Sequence, residues 1–111
     1  NQVLMNISTR DFSFIAEDHI SQIFNLLAKH KIKVSMMQNS AISLALCLED
    51  KFGKIDEVNQ TLTQQFSTDV VKNVSLYTVR NANMDELSTF YADKKILLEQ
   101  ISKNTVQIVT Q

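Results

Sequence analysis

Val3, Met5 and Ile7 alternate with Gln2, Asn6 and Ser8, with Leu4 the one apolar exception, and this period of two predicts a strand with one strongly buried face. A polar and aromatic stretch from Thr9 to Glu17 reads as a loop. Ile20, Ile23, Phe24 and Leu27 then recur at the i, i+3, i+4, i+7 spacing of an amphipathic helix. Asp18 suits its N-cap, Lys29, His30 and Lys31 suit its negative end, and the helix is expected to stop near His30. The β-branched and apolar run Ile32 to Met37 predicts a second strand, Gln38-Asn39-Ser40 a polar break, and Ile42, Leu44, Leu46 and Leu48 alternating with Ser43, Ala45 and Cys47 a third strand. The large and small faces of that third strand imply helices on one side and close approach by another layer on the other. Gly53 marks a strand-to-helix turn, Ile55, Val58, Leu62 and Phe66 predict a helix over Lys54 to Phe66, and Val70-Val71 a short strand.

This order, β-α-β-β-α-β, predicts an α+β fold of ferredoxin-like split βαβ type, with two helices on one face of a four-stranded antiparallel sheet. That unit is expected to span residues 1–72. Over 73–111 the pattern restarts: a strand at Val74 to Val79, a helix with Asn83 and Glu86 as capping box and Leu87, Phe90 and Tyr91 on one face, then strands at Ile96 to Leu98 and Val106 to Val109 around Ser102-Lys103-Asn104. The second copy, β-α-β-β, lacks a helix and a strand. Its sheet is expected to have an open edge, completed by a partner chain or by another segment of the polypeptide.

Composition narrows the function classes. With 44% hydrophobic and 21% charged residues in 111, the chain is too apolar for disorder as its main state. A formal charge of -1 leaves no broad basic field, so nucleic acid is not an expected partner. The longest apolar runs, such as Ile42 to Leu48, are far short of the ~20 residues of a membrane span, nothing at Asn1 reads as a signal, and a cytoplasmic protein without membrane partners is expected. The single cysteine, Cys47, lies in an apolar run and suits a buried thiol. One glycine and no proline leave little from which to build a phosphate-cradling loop, and no cofactor is expected.

Catalytic chemistry finds no constellation in the residues. His19 and His30 sit at opposite ends of one predicted helix, about 16 Å apart, so they do not share a metal. Glu49-Asp50 and Asp56-Glu57 lack calcium-loop spacing and read as a solvated loop and helix start. No Ser-His-Asp or Cys-His set is recognisable. Two loops stand out instead. The stretch from Arg10 to Asp18 leads into a helix N-terminus whose free N–H groups suit a carboxylate, and Gln38-Asn39-Ser40 falls near it in a split βαβ fold. A plainer reading makes Phe12 and Phe14 core or interface aromatics and leaves Gln38, Asn39 and Ser40 to satisfy a turn.

Ile23-Phe24-Asn25-Leu26-Leu27-Ala28-Lys29-His30-Lys31-Ile32-Lys33-Val34, followed after five residues by Ser40-Ala41-Ile42-Ser43-Leu44-Ala45-Leu46, resembles the regulatory region of aspartokinases. This part is similar to the first ACT domain of that region. Residues 73–111, with Leu97-Leu98-Glu99-Gln100 and Asn104-Thr105-Val106-Gln107, resemble the start of the second, so the resemblance covers essentially the whole chain. It implies a non-catalytic fragment, without the N-terminal kinase domain of its parent chain, that forms a homodimer through ACT domains. There it would bind an end-product amino acid, lysine or threonine, for feedback control of ATP-dependent aspartate phosphorylation. By position, backbone groups around Asp18, His19 and Ile20 would hold the effector's carboxylate. Val34, Ser35, Asn39 and Ser40 would line the rest, some of them across the dimer. Lysine-responsive relatives carry an aspartate where this chain has Ser35 and a glutamate where it has Ala41, so two charges that would compensate a lysine ammonium group are missing. The resemblance also admits a ligand-independent module for dimerisation and coupling.

Overall fold

The opening alternation forms strand β1 (Gln2–Thr9), which turns Val3, Met5, Ile7 and Thr9 inward. A computed structural model describes residues 2–11, 13–80, 95–103 and 105–111 of the chain. Helix α1 (Glu17–Lys29) follows, with Ile23 and Leu27 buried on its inner stripe. Strands β2 (Lys33–Asn39) and β3 (Ser43–Glu49) form a hairpin, α2 (Ile55–Leu62) buries Ile55, Val58 and Leu62, and the long strand β4 (Phe66–Arg80) comes next. Strands β5 (Ile96–Ser102) and β6 (Thr105–Thr110) complete the described elements.

The strands run in the order β2-β3-β1-β4-β6-β5, every neighbouring pair antiparallel. The first four make the expected ferredoxin-like sheet. Between its helix-bearing face and the two helices lies a core of Val3, Met5, Ile7, Leu44, Leu46 and Leu48 against Ile23, Leu27, Val58 and Leu62. Each such side chain, fully buried, contributes about 1.5–3 kcal/mol. The small face of β3 meets a second apolar layer, where Cys47 and Met36 cluster with Val74 and Val109 and with the partly buried Leu4, Leu97 and Leu98.

Several boundaries differ from the sequence reading for identifiable reasons. Val70-Val71 and Val74 to Val79 belong to one strand: residues 66–74 of β4 pair with β1 and residues 75–80 with β6. The polar pair Lys72-Asn73 marks a bulge, because Val74 pairs with Gln2 and Lys72 with Val3, leaving Asn73 over with φ 59°. Asn is among the few residues that adopt this left-handed conformation readily. Helix α2 stops at Leu62 and Phe66, instead of ending the helix, opens β4 opposite Thr9. Gln38 and Asn39 continue β2, and the hairpin turn begins only at Ser40. The N-cap of α1 is Ala16, not Asp18. The helix expected around Asn83, Glu86, Leu87, Phe90 and Tyr91 lies outside the described residues.

Glu49-Asp50 before Gly53 has a local task. Gly53 takes φ 68°, and the Asp50 carboxylate reaches across the turn to accept from the backbone N–H groups of Lys54 at 2.9 Å and Ile55 at 2.8 Å. It thereby satisfies donors at the start of α2 that the helix itself leaves open. From the other side, Lys72 of β4 donates to both Asp56 oxygens, at 2.9 and 3.2 Å.

Candidate functional site

The two loops singled out by the sequence are joined in the structure. The backbone N–H of Ile15, just before α1, donates to the carbonyl of Ala41 in the β2–β3 turn at 3.0 Å. The turn is itself closed by serines: Ser40 N–H donates to the Ser43 carbonyl at 2.9 Å, and the two hydroxyls lie 2.7 Å apart. Ser40 is therefore engaged in shaping the turn.

At the start of α1 the cap is unusual. Ala16 has no side-chain acceptor, and the role passes to His19, whose Nδ1 accepts from the Ala16 N–H at 3.1 Å. The proton of the neutral imidazole is then on Nε2. The N–H of Ile20 donates to the Ala16 carbonyl at 3.2 Å, so the open helix-end donors belong to Glu17, Asp18 and His19 rather than to Ile20. Asp18 is exposed, while His19 and Ile20 are half-buried.

His19 also lines a cavity of about 370 Å³ together with Thr9, Arg10, Asp11, Ser13 and Phe66. The Arg10 guanidinium is oriented by the carbonyl of Thr63, Thr9 Oγ1 donates to the Ser13 carbonyl at 2.8 Å, and the Ser13 N–H donates to Asp11 at 3.1 Å. Hydrogen bonding by Ser13 holds the Asp11 carboxyl below the usual carboxylate range. A guanidinium and a helix N-terminus favour a carboxylate, and an ionised Asp11 favours an ammonium. The combination suits a zwitterion. Arg10, Asp11 and Ser13 were legible only as part of a loop, because nothing in their spacing says that they surround one cavity.

The remaining sequence-predicted residues divide. Asn39 and Ser40 lie, through the Ile15–Ala41 bond, at the end of the fold where α1 begins. Val34 and Ser35 lie at the other end of β2, about 13–16 Å along the strand from Asn39 at ~3.3 Å per residue. Val34 packs against the helix-side core, and Ser35 is the extra residue of a bulge, since Val34 pairs with Leu48 and Met36 with Cys47. Among the described strands β2 is the outermost on its side of the sheet. One copy of the chain therefore does not gather all seven residues at one point. Among the described residues no group of three His, Cys, Asp or Glu side chains is placed to hold a metal. No helix among them is long and apolar enough to cross a membrane.

No protein-family model matches the sequence, and no curated protein matches it either. Solved structures do match the fold. A C-terminal regulatory domain of aspartate kinase from Porphyromonas gingivalis W83 aligns over 99% of this chain and 80% of its own, with TM-score 0.76 and 10% identity. Clostridium acetobutylicum aspartate kinase aligns over 100% of this chain and 29% of its own, with TM-score 0.76 and 13% identity. Escherichia coli aspartokinase III, in complex with lysine and aspartate, aligns over 98% of this chain and 27% of its own, with TM-score 0.72 and 16% identity. The chain thus spans under a third of those two enzymes and most of the regulatory domain. Its fold is that of aspartokinase regulatory regions.

Proposed function

We propose that this chain is the amino-acid-sensing regulatory part of an aspartokinase, binding an end-product amino acid of the lysine or threonine class and thereby controlling aspartate phosphorylation by a kinase domain of the parent chain. The observation that carries this reading is the Ile15–Ala41 bond, which ties the β2–β3 turn to the segment leading into α1, the helix whose His19 lines a cavity with Arg10 and Asp11. The fold shared with aspartokinase regulatory regions supports it.

In this reading the effector's carboxylate lies at the open N–H groups of Asp18 and His19. A second copy completes the site: among the described strands β2 pairs on one side only, and Val34 and Ser35 of one copy approach Asn39 and Ser40 of the other. Residues 1–72 and 73–111 are the first ACT domain and part of a second. The role is non-catalytic and cytoplasmic. The absence of a carboxylate at Ser35 and Ala41 favours a second reading, a dimerisation and coupling module that binds no effector.

Thermal unfolding with lysine, threonine, methionine and diaminopimelate, paired with sedimentation, separates the two. Saturation at 100 times Kd adds about 2.7 kcal/mol, a shift on the order of 10 °C. A selective shift supports sensing; a dimer indifferent to every amino acid supports coupling alone.

A further inference from the structure

A cavity of about 410 Å³ opens at the opposite end of the helix layer, where the close of α1 supplies Lys29, His30 and Lys31, the turn leading into α2 supplies Phe52 and Lys54, and the first turn of α2 supplies Glu57. Its charge is lopsided. The one carboxylate, Glu57, is shared by His30 Nε2 at 3.7 Å and Lys54 Nζ at 3.5 Å. Among the described residues no ion pair joins Lys29 or Lys31 to a carboxylate. His30 is oriented from behind by its Nδ1–H, which donates to the Leu26 carbonyl at 2.9 Å.

Two features here work against stability. Lys31 follows the helix end at φ 58°, the left-handed position where glycine or asparagine is the unstrained choice. Phe52, a large apolar residue, is 61% exposed beside the same cavity. Compensation of the helix dipole explains Lys29, but neither a strained lysine nor an aromatic ring in water.

We propose that this cavity binds a small anion carrying a planar ring, of the nucleoside-phosphate class, with its phosphate oxygens on Lys29, Lys31 and Lys54 and its ring on Phe52. The volume falls within the range of small-ligand sites. Ammonium groups on flexible stems suit phosphate oxygens, and an exposed aromatic face suits a base of any identity. This site is separate from the amino-acid site proposed above.

Calorimetric titration of the chain with ADP, pyrophosphate and adenosine tests the proposal. ADP is expected to bind at least roughly tenfold more tightly than either part alone. Lys31→Gly is expected to weaken ADP about fivefold or more while leaving the melting temperature unchanged or higher, since glycine relaxes the positive φ. Phe52→Ser should weaken ADP and spare pyrophosphate. Lys103→Gly relaxes the same strain in the β5–β6 turn, where φ is 55°, and should leave ADP binding as it is. No binding at about 5 mM ADP, equal affinity for ADP and pyrophosphate, or unaltered ADP binding by Lys31→Gly would each overturn it.

Discussion

His19 and Phe66 meet edge to face, their ring centroids 5.5 Å apart and their planes at 89°. The same imidazole accepts from the Ala16 N–H, so one side chain caps α1 and packs on the first residue of β4. His19→Ala is expected to cost about 1–2 kcal/mol in urea unfolding. His19→Gln, whose amide oxygen can still take the Ala16 N–H, should recover the cap but not the ring contact, and so fall between the two. Equal losses for both variants would mean that the cap contributes nothing.

Charge compensation governs the expected response to lysine. Ser35 is the half-buried extra residue of a bulge, and Ala41 lies in an exposed turn. On the proposed function, Ser35→Asp combined with Ala41→Glu should tighten lysine binding about tenfold, or ~1.4 kcal/mol, and leave threonine unaffected. Titration calorimetry of the double variant measures this. An unchanged lysine affinity would remove these positions from the effector site.

At Asn73 the expectation concerns backbone conformation. With φ at 59°, Asn73→Val forces a β-branched residue into the left-handed region and is expected to cost about 1–2 kcal/mol. Asn73→Gly should stay within roughly 0.5 kcal/mol, relief of the fold being offset by a more flexible unfolded chain. Urea midpoints at constant m distinguish the two.

Cys47 should be inert in the native protein. It has no exposed surface, its Sγ–H donates to Gln2 Oε1 at 3.1 Å, and burial pushes its thiol above the ordinary value of 9.0. The folded chain thus keeps a proton that the unfolded chain releases. Its contribution is whole below the unfolded thiol's pKa and declines as pH rises above it. The stability difference between the protein and Cys47→Ala should therefore shrink above about pH 9. Thiol labelling with an aromatic disulfide should be slow until denaturant is added.

The elements that were legible in the sequence are those with one face committed to the core. Val3, Met5 and Ile7 show their period of two because only one face of β1 is fully committed to the core; Leu44, Leu46 and Leu48 show it as large side chains alternating with the small Ala45 and Cys47 on a strand buried on both faces, and Ile23 and Leu27 mark the inner stripe of α1 at a period of 3.6. What escaped was set by contacts distant in sequence. Lys72-Asn73 looks like a break because both residues are exposed, yet β1 and β6 hold the chain extended on either side. Phe66 fits the helical spacing of α2 but pairs with Thr9. At the candidate site, proximity of the two loops was readable from topology, whereas the separation of Ser35 from Ser40 depends on the extended conformation of Gln38 and Asn39.

Strand β4 is shared by both halves of the sheet, pairing with β1 through its first part and with β6 through its second. Its backbone is common property, so melting either half frees one end of the strand that orders the other. The chain is accordingly built to unfold in one cooperative step, and a change in stability made at Phe66 should be felt by amides as far away as Val109 in hydrogen exchange.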